Sequence, residues 1–239
     1  MKRILVIAPH ADDEILGVGG VMARNIAEGN EVYVCVVTRG EEPLFTKELV
    51  DKLRAETLAA HKFLGITKTY FLEYPAVMLE GVPRYKLNQS IMDVVSEVEP
   101  DEVYIPHAGD MQKDHQLVNE AVMVAVRPKY THKISAVYAY ETLSETEWNI
   151  PNTVNAFIPN VYVDIGSYIM IIVTARIKAM TTSRIEVIHF KKALAYFATQ
   201  VSDFPDPRSL EAVEALAKYR GSTVKANAAE AFALIREIR

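Results

Sequence analysis

Residues 2–27 pass from an apolar run, through one histidine and three acids, into a second apolar run that carries glycines. Lys2-Arg3-Ile4-Leu5-Val6-Ile7 reads as a short buried strand, and Val21-Met22-Ala23-Arg24-Asn25-Ile26-Ala27 reads as a helix. His10, Asp12, Asp13 and Glu14 therefore stand at the carboxyl end of the first strand. Open α/β sheets bind ligands at that edge. Three carboxylates crowded there repel one another unless a cation or hydrogen bonds compensate. A divalent metal is the simplest compensation.

Zinc accepts histidine nitrogen and aspartate oxygen, and a catalytic site keeps one position open. The spacing of His10 and Asp13 lets both face one ion from a turn, with Asp12 and Glu14 pointing elsewhere. An acid beside such a centre can serve as general base, which makes Asp12 a candidate. The competing reading is that Asp12 or Asp13 only caps the following helix. Capping accounts for one acid, not for a histidine and three acids together. Gly17-Val18-Gly19-Gly20 is not a dinucleotide loop, because Met22 stands where G-x-G-x-x-G needs its third glycine. These glycines instead suit close packing of the helix on the sheet.

His10-Ala11-Asp12-Asp13-Glu14 after a strand resembles the metal motif of the PIG-L/LmbE-like zinc-dependent deacetylases, which carry proline where this chain has Ala11. Members of that family remove acetyl groups from N-acetylglucosamine units of small conjugates or lipids. The resemblance implies His10 and Asp13 as zinc ligands and Asp12 as base.

A second polar cluster follows the strand Glu102–Pro106, running from His107 to His115 ahead of a helix expected over Gln116–Val126. His115 is the expected third zinc ligand. The family loop often reads Asp-x-His-x-Asp-His; Asp110, Asp114 and His115 match it, and Gln112 takes the place of the first histidine. In some members that histidine helps stabilise the oxyanion. Gln112 can donate an amide hydrogen bond but cannot donate a proton to the reaction. His107 is a possible substitute, against the plain reading of a structural histidine. Asp114 is expected to orient a zinc-bound imidazole.

Further segments extend the resemblance. Thr38-Arg39-Gly40-Glu41 is similar to a family Thr-x-Gly-Glu stretch, and Arg54-Ala55-Glu56 to its Arg-x-Glu helix. Arg39, Glu41 and Arg54 are thus candidate substrate contacts, with a solvated loop and a surface salt bridge as the bland readings. Tyr140-Glu141 and Ser144-Glu145-Thr146-Glu147-Trp148 resemble another family stretch, so Tyr140 and Glu141 are candidates as well. Trp148 is either a sugar platform or part of a core or interface.

Strands expected at 31–37, 69–72, 102–106 and 136–140 alternate with helices at 46–64 and 85–98, which argues a Rossmann-like α/β fold with a mostly parallel sheet flanked by helices. Helices are also expected over about 186–200, from about Arg208 with Pro207 in its first position, and over 228–238. Residues 166–184 read as an insertion in an otherwise single domain spanning 1–239; its apolar stretch Tyr168–Val173 is expected to pack on a neighbouring subunit.

A chain of 239 residues with 50% hydrophobic residues can bury a full core, and a net charge of −5 argues against a nucleic-acid partner. The single cysteine, Cys35, lies in an apolar strand and is expected to be inert. No apolar run is long enough to span a bilayer, and no leader-like segment precedes the first strand, so the expectation is a cytoplasmic protein without a membrane anchor, and the apolar insertion points to a homo-oligomer. The resemblance implies a zinc-dependent hydrolase acting on an N-acetylglucosamine-type sugar or its small conjugate. The alternatives are a sugar-thiol conjugate amidase, a metal-binding relative without turnover, and a nucleotide-binding module, which the missing third glycine opposes.

Overall fold

The first strand, Arg3–Ala8 (β1), sends Ile4 and Val6 to one side and Leu5 and Ile7 to the other, and all four are fully buried. A strand apolar on both faces belongs inside a sheet covered by helices on each side. The computed structural model, which describes residues 1–130, 134–169 and 193–239, has that architecture.

After β1 come the helix Asp13–Ala27 (α1), the strand Glu31–Arg39 (β2), the helix Lys47–Leu64 (α2) and the strand Lys68–Pro75 (β3). The helix Arg84–Val98 (α3), the strand Glu102–Pro106 (β4), the helix Lys113–Ala125 (α4) and the strand Ala136–Tyr140 (β5) follow. The remaining elements are the strand Val161–Asp164 (β6), one helical turn at Gly166–Ile169 (α5), the helix Leu210–Ser222 (α6) and the strand Ala229–Glu237 (β7). The sheet order is β3-β2-β1-β4-β5-β7-β6; the first five strands are parallel and β7 is antiparallel to both of its neighbours. Residues of α1, α2 and α6 pack on one face with Ile4 and Val6, and those of α3 and α4 pack on the other with Leu5 and Ile7. Each fully buried Leu, Ile or Val contributes about 1.5–3 kcal/mol relative to exposure. Cys35 is one of these buried residues, and burial pushes its thiol up to about 12.

The segment expected as a final helix, 228–238, is β7 instead. Helix propensity is a weak preference. Here β5 and β6 both offer open edges, and the Ala229–Phe232 half of the strand is buried between them. The helix placed near Arg208 begins only at Leu210, where Ser209 caps it by accepting from Ala212 N at 3.1 Å. Pro207 and Arg208 thus lie in the preceding loop. The helix placed at Gln116 begins earlier, at Lys113, so Asp114 and His115 occupy its first turn. Of the 166–184 insertion only the turn α5 is described, and the rest of that expectation lies outside the described residues. Of the helix expected over about 186–200, residues 193–200 are described: Ala193 and Leu194 are helical, and turns follow from 195.

Gly17 and Gly20 of α1 serve close approach. A Cβ at Gly17 would lie 2.3 Å from the Tyr140 ring, whose hydroxyl donates to the Ile7 carbonyl at 2.9 Å. Tyr140 therefore fastens β5 to β1 beneath α1.

Candidate active site

The chain leaves β1 toward β2 and β3 on one side, and then crosses back to lay β4 and β5 on the other. The switch point of the sheet is between β1 and β4, where Val6 pairs with Tyr104. Loops diverge there and leave a crevice. The β1–α1 turn brings His10, Asp12 and Asp13 to it, and the start of α4 brings Asp114 and His115.

His10, Asp13 and His115 each offer a ligand atom, and these atoms lie within 4.8 Å of one another. Asp13 is fully buried; its Oδ2 accepts from His10 N at 2.9 Å and lies 3.2 Å from both His10 Nδ1 and His115 Nε2. Asp13 Oδ1 and His115 Nε2 are buried without a hydrogen-bond partner among the described residues. Such orphans are rare, and a missing ion is one of the standard reasons for them. Two imidazoles and a carboxylate, with unpartnered atoms facing one point, fit a divalent metal.

The other nitrogen of each imidazole is held by its own carboxylate. His10 Nε2 lies 3.0 Å from Asp114 Oδ2, and His115 Nδ1 lies 2.9 Å from Asp110 Oδ2. Asp114 also accepts from Val77 N at 2.6 Å and Leu79 N at 3.3 Å, and Asp110 accepts from the Thr146 hydroxyl at 2.7 Å. These bonds fix which nitrogen is free to bind metal. Burial opposes a charged His10, but the hydrogen bonds to Asp114 and Asp13 outweigh it and raise its pKa to about 9. Burial likewise opposes a charged His115, and Asp13 and Asp110 raise it to about 10. Burial works against the Asp13 carboxylate too, and the two histidines hold it well below the usual range.

Asp12 occupies the position before α1 with φ 124°, a conformation that costs an aspartate about 1–3 kcal/mol. Its N–H donates to Glu14 Oε2 at 3.1 Å, and its Oδ2 accepts from Arg208 Nη1 at 2.8 Å. Neither it nor Asp13 serves as a simple cap: Asp12 makes no side-chain bond to the helix, and Asp13 turns back to His10. Burial pushes the Asp12 carboxyl up to about 8, against the pull of Arg208.

His10 and Asp12 line one end of a cleft of about 220 Å³, which Gln112 and Arg208 also border. Phe45, Leu49, Leu53 and Phe71 give it apolar walls, and Arg39 and Arg54 line it as well. Arg39 Nε lies 3.4 Å from Glu73, Arg54 also pairs with Glu73, and the Arg54 guanidinium stacks 3.6 Å over the Phe71 ring.

Four expected substrate contacts do not reach this cleft. Glu41 is exposed on its loop. His107 Nε2 donates to the Asn155 carbonyl at 3.0 Å and packs edge-on against Phe157, so it does not replace the missing histidine. Tyr140 is sealed beneath α1. Glu141 turns away to a two-pronged pair with Arg220, at 2.8 and 2.6 Å. Trp148 is exposed and borders no part of the cleft. Sequence reasoning gives no role to two groups that do belong here. Asp110 enters only as a match to the family loop, and Arg208, 196 residues from Asp12, carries no local signal.

Residues 5–126 match the family model PIG-L, described as GlcNAc-PI de-N-acetylase. The uncharacterized deacetylase YaiS of Escherichia coli K12 is 31% identical over 169 residues, covering 67% of this chain and 80% of YaiS. Among solved structures, the N,N'-diacetylchitobiose deacetylase of Pyrococcus horikoshii superposes with a TM-score of 0.70 at 20% identity, over 98% of this chain and 84% of that one. GalB, a 4-carboxy-2-hydroxymuconate hydratase from Pseudomonas putida, superposes with a TM-score of 0.69 at 20% identity, over 100% and 98%. At such identities the superpositions show the fold alone, and that fold carries both a deacetylase and a hydratase.

Proposed function

This chain belongs to the PIG-L family, and from that membership we propose that it is a zinc-dependent hydrolase that removes the acetyl group from an N-acetylglucosamine-type sugar or a small conjugate of one. The observation that carries the reading is the trio of a half-buried His10 with the buried Asp13 and His115, with two unpartnered ligand atoms, one residue from the Asp12 carboxylate in the cleft wall.

Bound by the trio, zinc supplies Lewis-acid chemistry, polarising an acyl oxygen and acidifying a water. Asp12 takes the proton of the attacking water and delivers it to the sugar nitrogen as the C–N bond breaks, so that water and amide yield acetate and amine. Asp114 and Asp110 keep His10 and His115 in the tautomers that leave a ligand nitrogen free. Gln112 offers an amide N–H to the acyl group, and Arg39 and Arg54 meet the sugar or what is attached to it. The apolar walls admit an acetyl or a hydrophobic aglycone while limiting water. The same reading treats residues 1–239 as one catalytic domain acting in the cytoplasm, in a homo-oligomer; no described helix is long and apolar enough to cross a membrane.

Gln112 favours one competing reading, a metal-binding relative without turnover. The deciding measurement is acetate release by zinc-loaded protein from free N-acetylglucosamine, diacetylchitobiose, a thiol-precursor glycoside and a lipid-linked sugar, with Asp12→Asn as the control. Acetate that disappears in the control is the expected result. Zinc bound at one per chain with no acetate from any substrate overturns it. Release of an amino acid from a sugar-thiol conjugate would identify an amidase instead.

A further inference from the structure

Arg208 is fixed by three segments that are far apart in sequence. Its backbone N–H donates to Asp206 Oδ1 at 2.8 Å, just ahead of α6. Its Nη1 donates to Asp12 Oδ2 at 2.8 Å, its Nε donates to the Ser144 hydroxyl at 2.9 Å, and its Nη2 lies 3.6 Å from Glu145 Oε1, beyond hydrogen-bond reach. A guanidinium carries five N–H donors and never accepts. Two are engaged, and the side chain borders the cleft beside His10, Asp12 and Gln112. Arg39 and Arg54, the other cations lining the cleft, are both drawn to Glu73.

Hydrolysis of an amide places negative charge on the acyl oxygen as water adds to the carbonyl carbon. Donors held in place before the reaction stabilise that charge most. Gln112 provides only a neutral amide, whereas a charged donor makes hydrogen bonds roughly twice as strong. We propose that Arg208 is a catalytic residue, whose guanidinium aims the Asp12 carboxylate through Nη1 and offers its remaining N–H groups to the oxyanion of the reacting acyl group. The attacking oxygen joins the acyl carbon, its proton passes to Asp12, and the C–N electron pair leaves with the amine. Arg208 stays protonated throughout. This rests on the hydrolase reading and adds to it the cation that the exchange of histidine for Gln112 removes.

The test uses methylphosphonate, a methyl-bearing tetrahedral anion, titrated into zinc-loaded wild-type protein and Arg208→Gln, with zinc content and thermal melting recorded for both. Arg208→Gln is expected to retain one zinc per chain and to bind methylphosphonate about tenfold or more weakly, while its kcat for acetate release falls about 10²–10³-fold and KM changes little. Arg208→Lys should recover part of kcat, and added guanidinium ion, far below denaturing concentrations, should restore part of the activity of Arg208→Ala. Equal methylphosphonate affinity in wild type and Arg208→Gln overturns the proposal. So does a loss that only follows lost zinc, or no binding to wild type at all. If wild-type protein releases no acetate from any sugar, the hydrolase reading falls and the catalytic role falls with it, whereas acetate release together with equal methylphosphonate affinity overturns the role of Arg208 alone.

Discussion

Asp114 is the chain neighbour of His115, yet its carboxylate serves His10, with Oδ2 3.0 Å from His10 Nε2 across 104 residues of sequence. The first turn of α4 turns adjacent side chains in different directions. His115 points to Asp13 and Asp110, while Asp114 faces the β1–α1 turn and the backbone at Val77 and Leu79. One carboxylate thus joins three segments and holds one imidazole in a single orientation.

Replacing Asp114 with asparagine leaves one acceptor oxygen where one imidazole and two backbone N–H groups now find two. Asp114→Asn should weaken zinc binding by about 10–100-fold, the usual cost of losing a partner behind a metal ligand. Competition with a chelator of known affinity measures this. Unchanged zinc affinity would mean that His10 is oriented by the surrounding packing alone.

Metal binding should also release protons. His10 and His115 have pKa values raised to about 9 and about 10, so near neutral pH both are charged without metal. Each must lose a proton to bind zinc, giving release of about two protons per ion. Because the folded values lie above the ordinary histidine value of 6.5, their stabilisation of the metal-free protein is fully present below pH 6.5 and is lost as pH rises through 9 and 10. Asp12, raised from 3.8 to about 8 chiefly by burial, adds an earlier decline between about pH 4 and 8, ahead of the loss that the histidines carry up to 10. Zinc affinity should rise over the same interval. Calorimetry in two buffers of different ionisation heat counts the protons, and release near zero would show neutral imidazoles in the metal-free protein.

What the sequence made legible follows from where each partner lies. His10, Asp13 and His115 stand in polar clusters that end apolar strands, so periodicity and the placement of ligands at strand ends located the clusters, and the family resemblance singled out these three within them. β1, β2, β4 and β5 were legible for the same reason. The Ala229–Phe232 stretch was not, because alanine spacing suits a helix and only the edges of β5 and β6 decide for a strand. Nor was Arg208 legible, since starting α6 two residues later is what places it in a loop that reaches Asp12. Glu141 follows a strand as His107 does, but Arg220, 79 residues on, claims its carboxylate.

Behind the site, Glu14 is fully buried between two duties. Its Oε2 accepts the Asp12 N–H, which braces Asp12 at its positive φ, and its Oε1 lies 3.0 Å from His61 Nε2. His61 Nδ1 in turn lies 2.8 Å from the Thr69 hydroxyl. His61→Leu leaves the carboxylate buried without its partner, and breaking such a pair costs about 3–5 kcal/mol. Glu14→Gln should cost less, because an amide can still meet both neighbours. Denaturant unfolding of the two variants gives the comparison, and a loss of about 1 kcal/mol or less for His61→Leu would show that the pair does not brace the turn.

Two residues that the sequence groups as substrate contacts should behave differently in kinetics. Arg54 lines the cleft over Phe71, whereas Glu141 is committed to Arg220 with both its oxygens. Arg54→Gln removes a charged donor from the cleft wall and should raise KM about tenfold with a smaller change in kcat, the pattern of lost ground-state binding. Glu141→Gln removes a charged, two-pronged hydrogen bond worth about 1–3 kcal/mol of stability and should leave kcat/KM within about twofold. Steady-state kinetics and denaturant unfolding on the same two preparations separate the cases. A large rise in KM for Glu141→Gln without loss of stability would place Glu141 in contact with substrate and require the Arg220 pair to open when the sugar binds.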